Sequence, residues 1–308
     1  MSREGKNILI VVIAMMMAYS VTAQHSTLMS QYMFNGLVVN PAYAGAKNNL
    51  AVNISYRNQW TGFEGAPTTQ IASIHAPIDR NPISVGGMIS REEVGVSTDI
   101  ALRGLVSYKL KMDDGRLRFG IGAGFANTNS RWSEFQIDEV NDTLFQSDVA
   151  GLVRPLFSAG AYFEAKKWYA GYSMPSIMRY EYVGQDEVRS IFSMARIEHI
   201  LTAGYAYKYS RSIVIKPSFL VRTNPSSGAQ ADINCNVIFS NKLWTGASYR
   251  HNEAIIAMME YQVHHQFRIG YAYDYSLGPI GSYSAGSHEL MLLWVFRKQS
   301  FARNPRYF

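Results

Sequence analysis

Hydrophobic and polar positions alternate with a period of two residues along most of the chain after Leu50. In residues 266–275, Phe, Ile and Tyr occupy one set of alternate positions, and Gln, Arg, Gly, Ala and Asp occupy the other. Residues 116–125 and 200–209 show a similar division. Because successive side chains of a β-strand point to opposite faces, this pattern predicts strands with one apolar, aromatic face and one small or polar face.

The alternating stretches divide into about fourteen predicted strands. Their predicted spans are 50–58, 68–77, 83–90, 98–111, 115–127, 155–164, 167–174, 197–209, 211–223, 228–240, 242–250, 254–262, 265–275 and 287–297. The connections after even-numbered strands are short. Most connections after odd-numbered strands are longer, including 59–67, 128–154, 175–196 and 276–286. Long and short connections therefore meet at opposite ends of the predicted sheet.

This alternation is the rule for bacterial outer-membrane barrels, whose short turns face the periplasm and whose long loops face outward. The sequence thus predicts an all-β fold, a transmembrane outer-membrane β-barrel of about fourteen antiparallel strands over residues 50–297. The alternative is a soluble sandwich or propeller. About fourteen strands in one meander exceed a usual sandwich, and no propeller-length repeat is visible.

The first 23 residues have the pattern of a secretory signal peptide. Arg3 and Lys6 precede an apolar run over residues 8–18, and Val21-Thr22-Ala23 precedes the expected mature start at Gln24. The run is too short to span about 30 Å of hydrocarbon. We therefore expect a cleaved signal peptide, export, and a final location in the bacterial outer membrane, in contact with its lipid.

Composition narrows the function classes. The formal net charge is +6, but the basic residues are scattered and do not form the basic, aromatic-interleaved runs of nucleic-acid-binding proteins. The one cysteine, Cys235, excludes a disulfide framework and is expected to be buried or lipid-facing. Basic residues are concentrated only near the end of the sequence. They are Arg297 and, in the predicted periplasmic tail over residues 298–308, Lys298, Arg303 and Arg306.

Charged side chains also occur on the predicted luminal face. The basic residues are Arg103, Lys109, Arg118, Arg222, Arg250 and Arg268, and the acidic residues available to them are Glu164, Asp232, Glu260 and Asp274. Cross-strand ion pairs are the favoured interpretation, because both signs are normal on a barrel lumen. A selective pore lining is the alternative.

The sequence contains no metalloprotease, phosphate-loop or nucleophile-elbow motif, so neither an enzyme nor a cofactor is expected. Gly120, Gly122 and Gly124 lie inside a predicted strand and are interpreted as small luminal residues that let another segment approach closely. The acidic connection 128–154 is interpreted as a solvated loop. Calcium binding by this loop stays open.

Residues 24–49 precede the first strand, and from Gln31 to Gly45 they carry no charge. This stretch holds three aromatic residues, and an Asn-Pro pair breaks regular structure. So apolar a segment would be sticky in water. We therefore expect it to be periplasmic and docked on a partner, packed on the barrel rim, or buried in the lumen.

Short blocks spread in order across the chain resemble the PorP/SprF family of outer-membrane proteins of the type IX secretion system. The blocks are Gln31-Tyr32-Met33-Phe34-Asn35, Asn40-Pro41-Ala42-Tyr43-Ala44-Gly45, Tyr56-Arg57-Asn58-Gln59-Trp60, Gly65-Ala66-Pro67 with Thr69-Gln70, Gly246-Ala247-Ser248-Tyr249-Arg250, Arg268-Ile269-Gly270-Tyr271-Ala272-Tyr273-Asp274-Tyr275, Gly286-Ser287-His288-Glu289 and Pro305-Arg306-Tyr307-Phe308. Gly36 departs from the family pattern, which usually has Pro there.

The resemblance implies a subunit that receives, exports or anchors a secreted type IX cargo protein, such as an adhesin or a gliding-motility protein. A structural subunit that joins the outer membrane to periplasmic secretion lipoproteins is the alternative, and a general porin is a third. The resemblance marks Gln31, Tyr32, Phe34, Asn35, Asn40, Pro41, Tyr43 and Gly45 as a partner-binding segment or plug. It marks Arg57, Asn58, Gln59, Trp60, Arg250, Arg268, Asp274, His288 and Glu289 as motif residues of the barrel.

Overall fold

Fourteen antiparallel strands form one closed barrel in the computed structural model, which describes residues 29–132, 148–182, 188–191, 197–224 and 228–296. The strands are β1 Leu50–Asn58, β2 Thr68–Pro77, β3 Ile83–Val94, β4 Ser97–Lys111, β5 Gly115–Ser130, β6 Val149–Ala165, β7 Trp168–Met174, β8 His199–Tyr205, β9 Ile213–Asn224, β10 Gly228–Phe239, β11 Leu243–Arg250, β12 Ala254–His264, β13 Phe267–Ser276 and β14 Ser287–Phe296. The predicted fold class is confirmed.

Each strand pairs with the next one along the chain, and the barrel closes between its first and last strands. The closing register runs from Leu50 opposite Phe296 to Asn58 opposite His288. Tyr207–Lys208 continues β8 along β9 after a break at Ala206. Closure leaves no sheet edge and satisfies the backbone hydrogen bonds between strands, which is the condition for crossing a bilayer with strands.

The outer wall is apolar, as the alternation predicts. In β13, Ile269, Tyr271 and Tyr275 are exposed on the outside, whereas Ala272 and Asp274 are buried inside. Cys235 lies exposed, on the lipid-facing side of β10. A band of outward Tyr, Phe, Trp and aliphatic side chains is the surface that a transmembrane barrel presents to lipid.

Several strands are longer than predicted at one end of the barrel. β3 continues to Val94, β5 continues to Ser130, and β6 begins at Val149. The extra residues of β3 and β5 are largely polar, for example Arg91 and Glu92, which still pair with β4. The apolar alternation stops where a strand leaves lipid, but backbone pairing continues, so the pattern underestimates strand length.

Two connections also differ from prediction. β3 and β4 are joined by a two-residue turn, and the connection 175–198 contains a separate two-stranded hairpin, Arg179–Tyr182 with Val188–Ile191. The longest connections, 59–67, 131–148, 175–198 and 277–286, all lie at the long-loop end of the barrel, together with the shorter ones 95–96, 225–227 and 251–253. The turns 78–82, 112–114, 166–167, 209–212, 240–242 and 265–266 form the short-turn end, which in outer-membrane barrels faces the periplasm.

The hydrophobic core lies inside the barrel, where residues 29–49 pack against the walls. Phe34 joins one core cluster with Ile238, Ile256 and Met291, and Tyr43 joins another with Tyr162 and Tyr169. No helix within the described ranges is long and apolar enough to cross a membrane. The predicted signal peptide, residues 1–23, and the predicted tail, residues 298–308, lie outside the described residues.

Candidate functional site

Residues 29–49, here called the plug, run through the lumen from one end of the barrel to the other. Ser30 lies beside Arg57, Asp274 and Glu289, close to the long-loop end. At the short-turn end, the Gly45 N–H donates to Nδ1 of His75 at 3.1 Å. The plug therefore occupies the lumen, which is one of the three locations that the sequence left open for this segment.

Two short 3₁₀ helices, Gly36–Val38 and Pro41–Tyr43, make the middle of the plug compact. Asn40 caps the second helix by accepting a hydrogen bond from the Ala42 N–H at 2.9 Å, and Pro41 supplies the fixed φ of a first helical residue. The Asn-Pro pair thus begins a short helical turn inside the barrel.

Polar atoms of the plug bond to the wall around its circumference. The Asn35 amide donates to Asn53 on β1 and to Ser73 on β2 at 2.9 and 3.1 Å. The Asn40 amide donates to the backbone carbonyl of Ala161 on β6 at 3.0 Å. Further bonds join Ser107 Oγ to Ala44 O, Ser173 Oγ to Val39 O and Asn234 Nδ2 to the Tyr32 hydroxyl. Buried polar groups are costly unless paired, so these bonds fix the depth and rotation of the plug.

Luminal glycines let the plug backbone approach the wall. A Cβ built on Gly120 would overlap Ala42 and lie 2.5 Å from the carbonyl carbon of Pro41. A Cβ on Gly171 would lie 3.1 Å from the Asn40 amide nitrogen. Gly120 therefore does what the sequence predicts for it, because only a residue without a side chain admits a backbone at this distance.

Aromatic side chains fill the half of the lumen that is nearer the short-turn end. The Tyr43 ring meets Tyr162 edge-on at 5.4 Å between centroids and His75 at 5.9 Å. Gly36 faces the same ring, and a Cβ there would lie 2.7 Å from it. Gly at position 36, which departs from the family pattern, thus makes room for Tyr43.

A buried ionic cluster holds the plug near the long-loop end. The two Glu289 oxygens accept the backbone N–H groups of Ser30 and Gln31 at 2.6 and 3.0 Å. Arg57 ion-pairs with Asp274 at 2.7 Å and lies 3.4 Å from Glu289. The Ser30 hydroxyl donates to Asp274 at 2.6 Å. Charges buried this deeply are tolerated when paired, and here the partners come from β1, β13, β14 and the plug together.

Most predicted luminal charges form cross-strand pairs. Arg250 pairs with Asp232 at 3.1 Å, Arg268 with Glu260 at 2.9 Å, and Arg118 with Glu164 at 3.1 Å. Arg222 lies 4.0 Å from Glu198 and donates to Gln230. Arg103 and Lys109 also belong to inward positions of β4. With the plug inside the lumen, these charged side chains link the strands of the barrel wall and do not line an open pore.

The remaining motif residues lie at the β13–β14–β1 seam. Asn58 ends β1, and Gln59 and Trp60 begin the connection 59–67, so these two are not strand residues. The Trp60 N–H donates to Ser287 Oγ at 3.1 Å. His288 is on the outer wall, where Nδ1 lies 2.7 Å from the Tyr271 hydroxyl. The motif residues therefore lie where β1 pairs with β14 to close the barrel, and in the buried ionic cluster around Ser30, here called the socket of the plug.

The connections 59–67 and 277–286 lie side by side at this seam and together form an outward surface, here called the platform. The Thr61 N–H donates to Gly286 O, and the Ala285 N–H donates to Thr61 O, both at 2.8 Å. Phe63, Leu277 and Tyr283 are exposed on it, Tyr283 at 74%. Alternation does not reach these loops, and Ser30 lies just outside the uncharged stretch, so sequence analysis missed both features.

Other predicted sites lie largely outside the described residues. They include Arg297, Lys298, Arg303 and Arg306 of the tail and most of the acidic connection 128–154. Within the described ranges, no three His, Cys, Asp or Glu side chains are grouped as metal ligands would be.

Comparison with known proteins places the fold and the sequence. A family model described as type IX secretion system membrane protein PorP/SprF matches residues 21–294. No curated protein sequence matches the chain. The crystal structure of the Ralstonia pickettii toluene transporter TbuX is similar, with a TM-score of 0.53 and 7% identity over 85% of this chain and 93% of TbuX. The Acinetobacter baumannii outer membrane protein Omp33 has a TM-score of 0.48 and 8% identity, over 81% of this chain and 98% of Omp33. At such identity, the likeness to TbuX shows the barrel fold alone.

Proposed function

This chain belongs to the PorP/SprF family of type IX secretion system membrane proteins, and we propose that it receives, exports or anchors a secreted surface protein at the outer membrane. Adhesins and gliding-motility proteins are the expected cargo class. The proposal assigns the chain a binding role with no catalytic step.

The plug is the observation that supports this role. Residues 29–49 bond to opposite walls of the lumen, through Asn35 on one side and Tyr32 on the other. A barrel of fourteen strands without such a filling would leave a lumen for solutes. Because the lumen is occupied, the general-porin alternative has little support, and the outward surfaces are the parts available for work.

The platform is the proposed cargo-binding surface. Phe63 and Tyr283 are exposed aromatic residues on loops that brace each other by backbone hydrogen bonds. Aromatic side chains on a rigid support are typical centres of protein–protein interfaces. Loops at the outward end of a barrel also carry function more often than the walls that position them.

The test is affinity purification of the tagged, full-length protein from native outer membranes in mild detergent, followed by mass spectrometry. We expect co-purification of a large secreted protein with a type IX sorting domain. A variant with Phe63→Ser and Tyr283→Ser should lose it. The matched control is Tyr209→Ser with Tyr207→Ser, which removes two exposed aromatic residues at the short-turn end and should retain the cargo.

Each result decides something. Retention of cargo by the platform variant would move the binding surface elsewhere. Recovery of periplasmic secretion lipoproteins without cargo would favour the alternative, a structural subunit joining the outer membrane to the periplasmic complex. That alternative is favoured by one observation, the concentration of lysines at the short-turn end.

A further inference from the structure

All eight lysines that the structure describes lie at the short-turn end of the barrel. They are Lys47, Lys109, Lys111, Lys166, Lys167, Lys208, Lys216 and Lys242. The described cations of the long-loop end are arginines, and several of them, such as Arg57 and Arg250, are paired with buried carboxylates. The two ends of the molecule therefore differ in electrostatic character.

Many of the cations at the short-turn end face the inside of its mouth. Directly opposite residues in an antiparallel pair share a face of the sheet. Lys109 lies opposite the buried Arg118, and Lys208 lies opposite the buried Val214. Lys111 lies opposite Arg116 on the same inward side. Their sequence neighbours point outward instead.

The inner cations outnumber the described carboxylates beside them. The inward-facing group comprises Lys47, Lys109, Lys111, Arg116, Arg118, Lys208, Lys216 and Arg268, here called the basic mouth. The described carboxylates among these eight cations are two, Glu164 and Glu260. The surrounding turns add Arg80, Lys166, Lys167, Arg211 and Lys242 against Asp79, Asp113 and Asp114. Positive charge thus exceeds negative charge inside the mouth and around it.

We propose that the basic mouth binds an acidic segment of a periplasmic polypeptide, which enters from the short-turn side and meets the foot of the plug at Lys47. An electropositive concavity attracts anionic partners and speeds their association. The inference goes beyond cargo anchoring, because it concerns the opposite end of the barrel from the platform.

Two other occupants fit less well. Lipid headgroups surround the outer wall, and there the exposed neighbours of the mouth lysines are Tyr108, Leu110 and Tyr207. The chain's own residues 297–308 follow Phe296 at this end, but they carry four cations and no Asp or Glu. Like charge opposes their insertion into a basic mouth. A separate, acidic polypeptide satisfies both constraints.

The test uses the full-length protein in neutral detergent and a fluorescein-labelled oligoglutamate peptide, with fluorescence anisotropy as the readout. We expect binding that weakens as salt is raised, since exposed charges are screened. Lys111→Gln with Lys208→Gln should weaken it about threefold to tenfold, because each exposed ion pair contributes modestly. Arg91→Gln with Arg131→Gln removes the same charge from the long-loop end and should leave binding unchanged.

The result can overturn the proposal in three ways. Equal loss in both double variants would show that binding follows net charge and not the mouth. Absence of peptide binding by a wild-type protein with a native circular dichroism spectrum would exclude an acidic polypeptide. Binding of phosphatidylglycerol vesicles, weakened by Lys111→Gln with Lys208→Gln and without peptide binding, would assign the mouth to lipid instead.

Discussion

Gly120 sets how closely the plug can lie against the barrel wall. Its missing side chain leaves room for the backbone of Pro41 and Ala42, neither of which can rotate away as a flexible side chain could. We expect Gly120→Ala to lower the free energy of unfolding by about 1–3 kcal/mol, the usual effect of overpacking a rigid site. Urea unfolding in detergent, followed by tryptophan fluorescence, measures the change.

Gly104→Ala is the matched control for this prediction. Gly104 lies on the neighbouring strand β4, but a Cβ there would meet its nearest atom, the Ala123 carbonyl oxygen, at an ordinary 3.8 Å. Its stability should equal or slightly exceed that of the wild type, because alanine costs less backbone entropy than glycine. Equal unfolding midpoints for the two variants would mean that the plug does not press on Gly120.

Single residues differ in how far the sequence determines their role. Strand parity alone assigns Arg250 and Asp232 to the lumen, and the structure pairs them. The socket residues are different, because Ser30 and Glu289 are 259 positions apart and meet only after the barrel closes. His75 likewise gives no periodic signal for its bond with Gly45. Long-range contacts to a non-repetitive segment cannot be read from local spacing.

The strands themselves were largely predictable, because lipid on one side and a packed lumen on the other impose strict alternation. The approximate count was confirmed, and β1 and β2 have the predicted bounds. β3 was predicted to end at residue 90 but continues through Arg91, Glu92 and Glu93 to Val94, and these residues still pair with β4. There, backbone pairing without lipid contact maintains the strand, and the amphipathic pattern no longer reports it.

The plug is the element whose location the sequence did not decide. A periplasmic partner, the barrel rim and the lumen were all open. The plug's lack of charge indicated burial but not the surface that buries it. The choice depends on lumen size and on luminal glycines such as Gly120 and Gly171, which come from strands remote in sequence. In the folded barrel, Gly120 on β5 faces Ala42, and Gly171 on β7 faces Asn40.

Removing the plug should convert the barrel into an ion-conducting pore. The change is deletion of residues 31–45, which withdraws Tyr43 and the hydrogen bonds of Asn35 and Asn40 from the lumen. Fourteen strands then enclose open space lined by charged residues. Planar-bilayer recording should show stable conductance for the deletion variant and closed behaviour for the full-length protein.

The folding of the deletion variant needs a separate check, because the plug supplies much of the core. A β-rich circular dichroism spectrum after purification establishes that the barrel is intact. Such a folded variant without conductance would show that the walls collapse onto each other or that another segment closes the lumen. Conductance of the full-length protein as large as that of the variant would show that the plug does not seal the barrel.

The two ends of the barrel differ, because the platform and the longest loops lie at one end and the described lysines lie at the other. Every connection after an odd-numbered strand reaches the long-loop end, and the turns after even-numbered strands reach the short-turn end. This arrangement follows from even strand number and strict antiparallel order. It places the two proposed binding surfaces on opposite sides of the outer membrane, with cargo at the cell surface and an acidic polypeptide in the periplasm.

The lysine distribution makes this orientation testable on living cells. A polymer-linked amine reagent too large for porins should leave all described lysines unmodified in intact cells, because the short-turn end faces the periplasm. Breaking the outer membrane should expose Lys111, Lys166 and Lys242 to it. Glu64→Lys places one amine on the exposed connection 59–67, and this variant should be modified in intact cells. Peptide mapping that found Lys166 or Lys242 modified in intact cells, with Glu64→Lys protected, would reverse the orientation and exchange the sides assigned to the two surfaces.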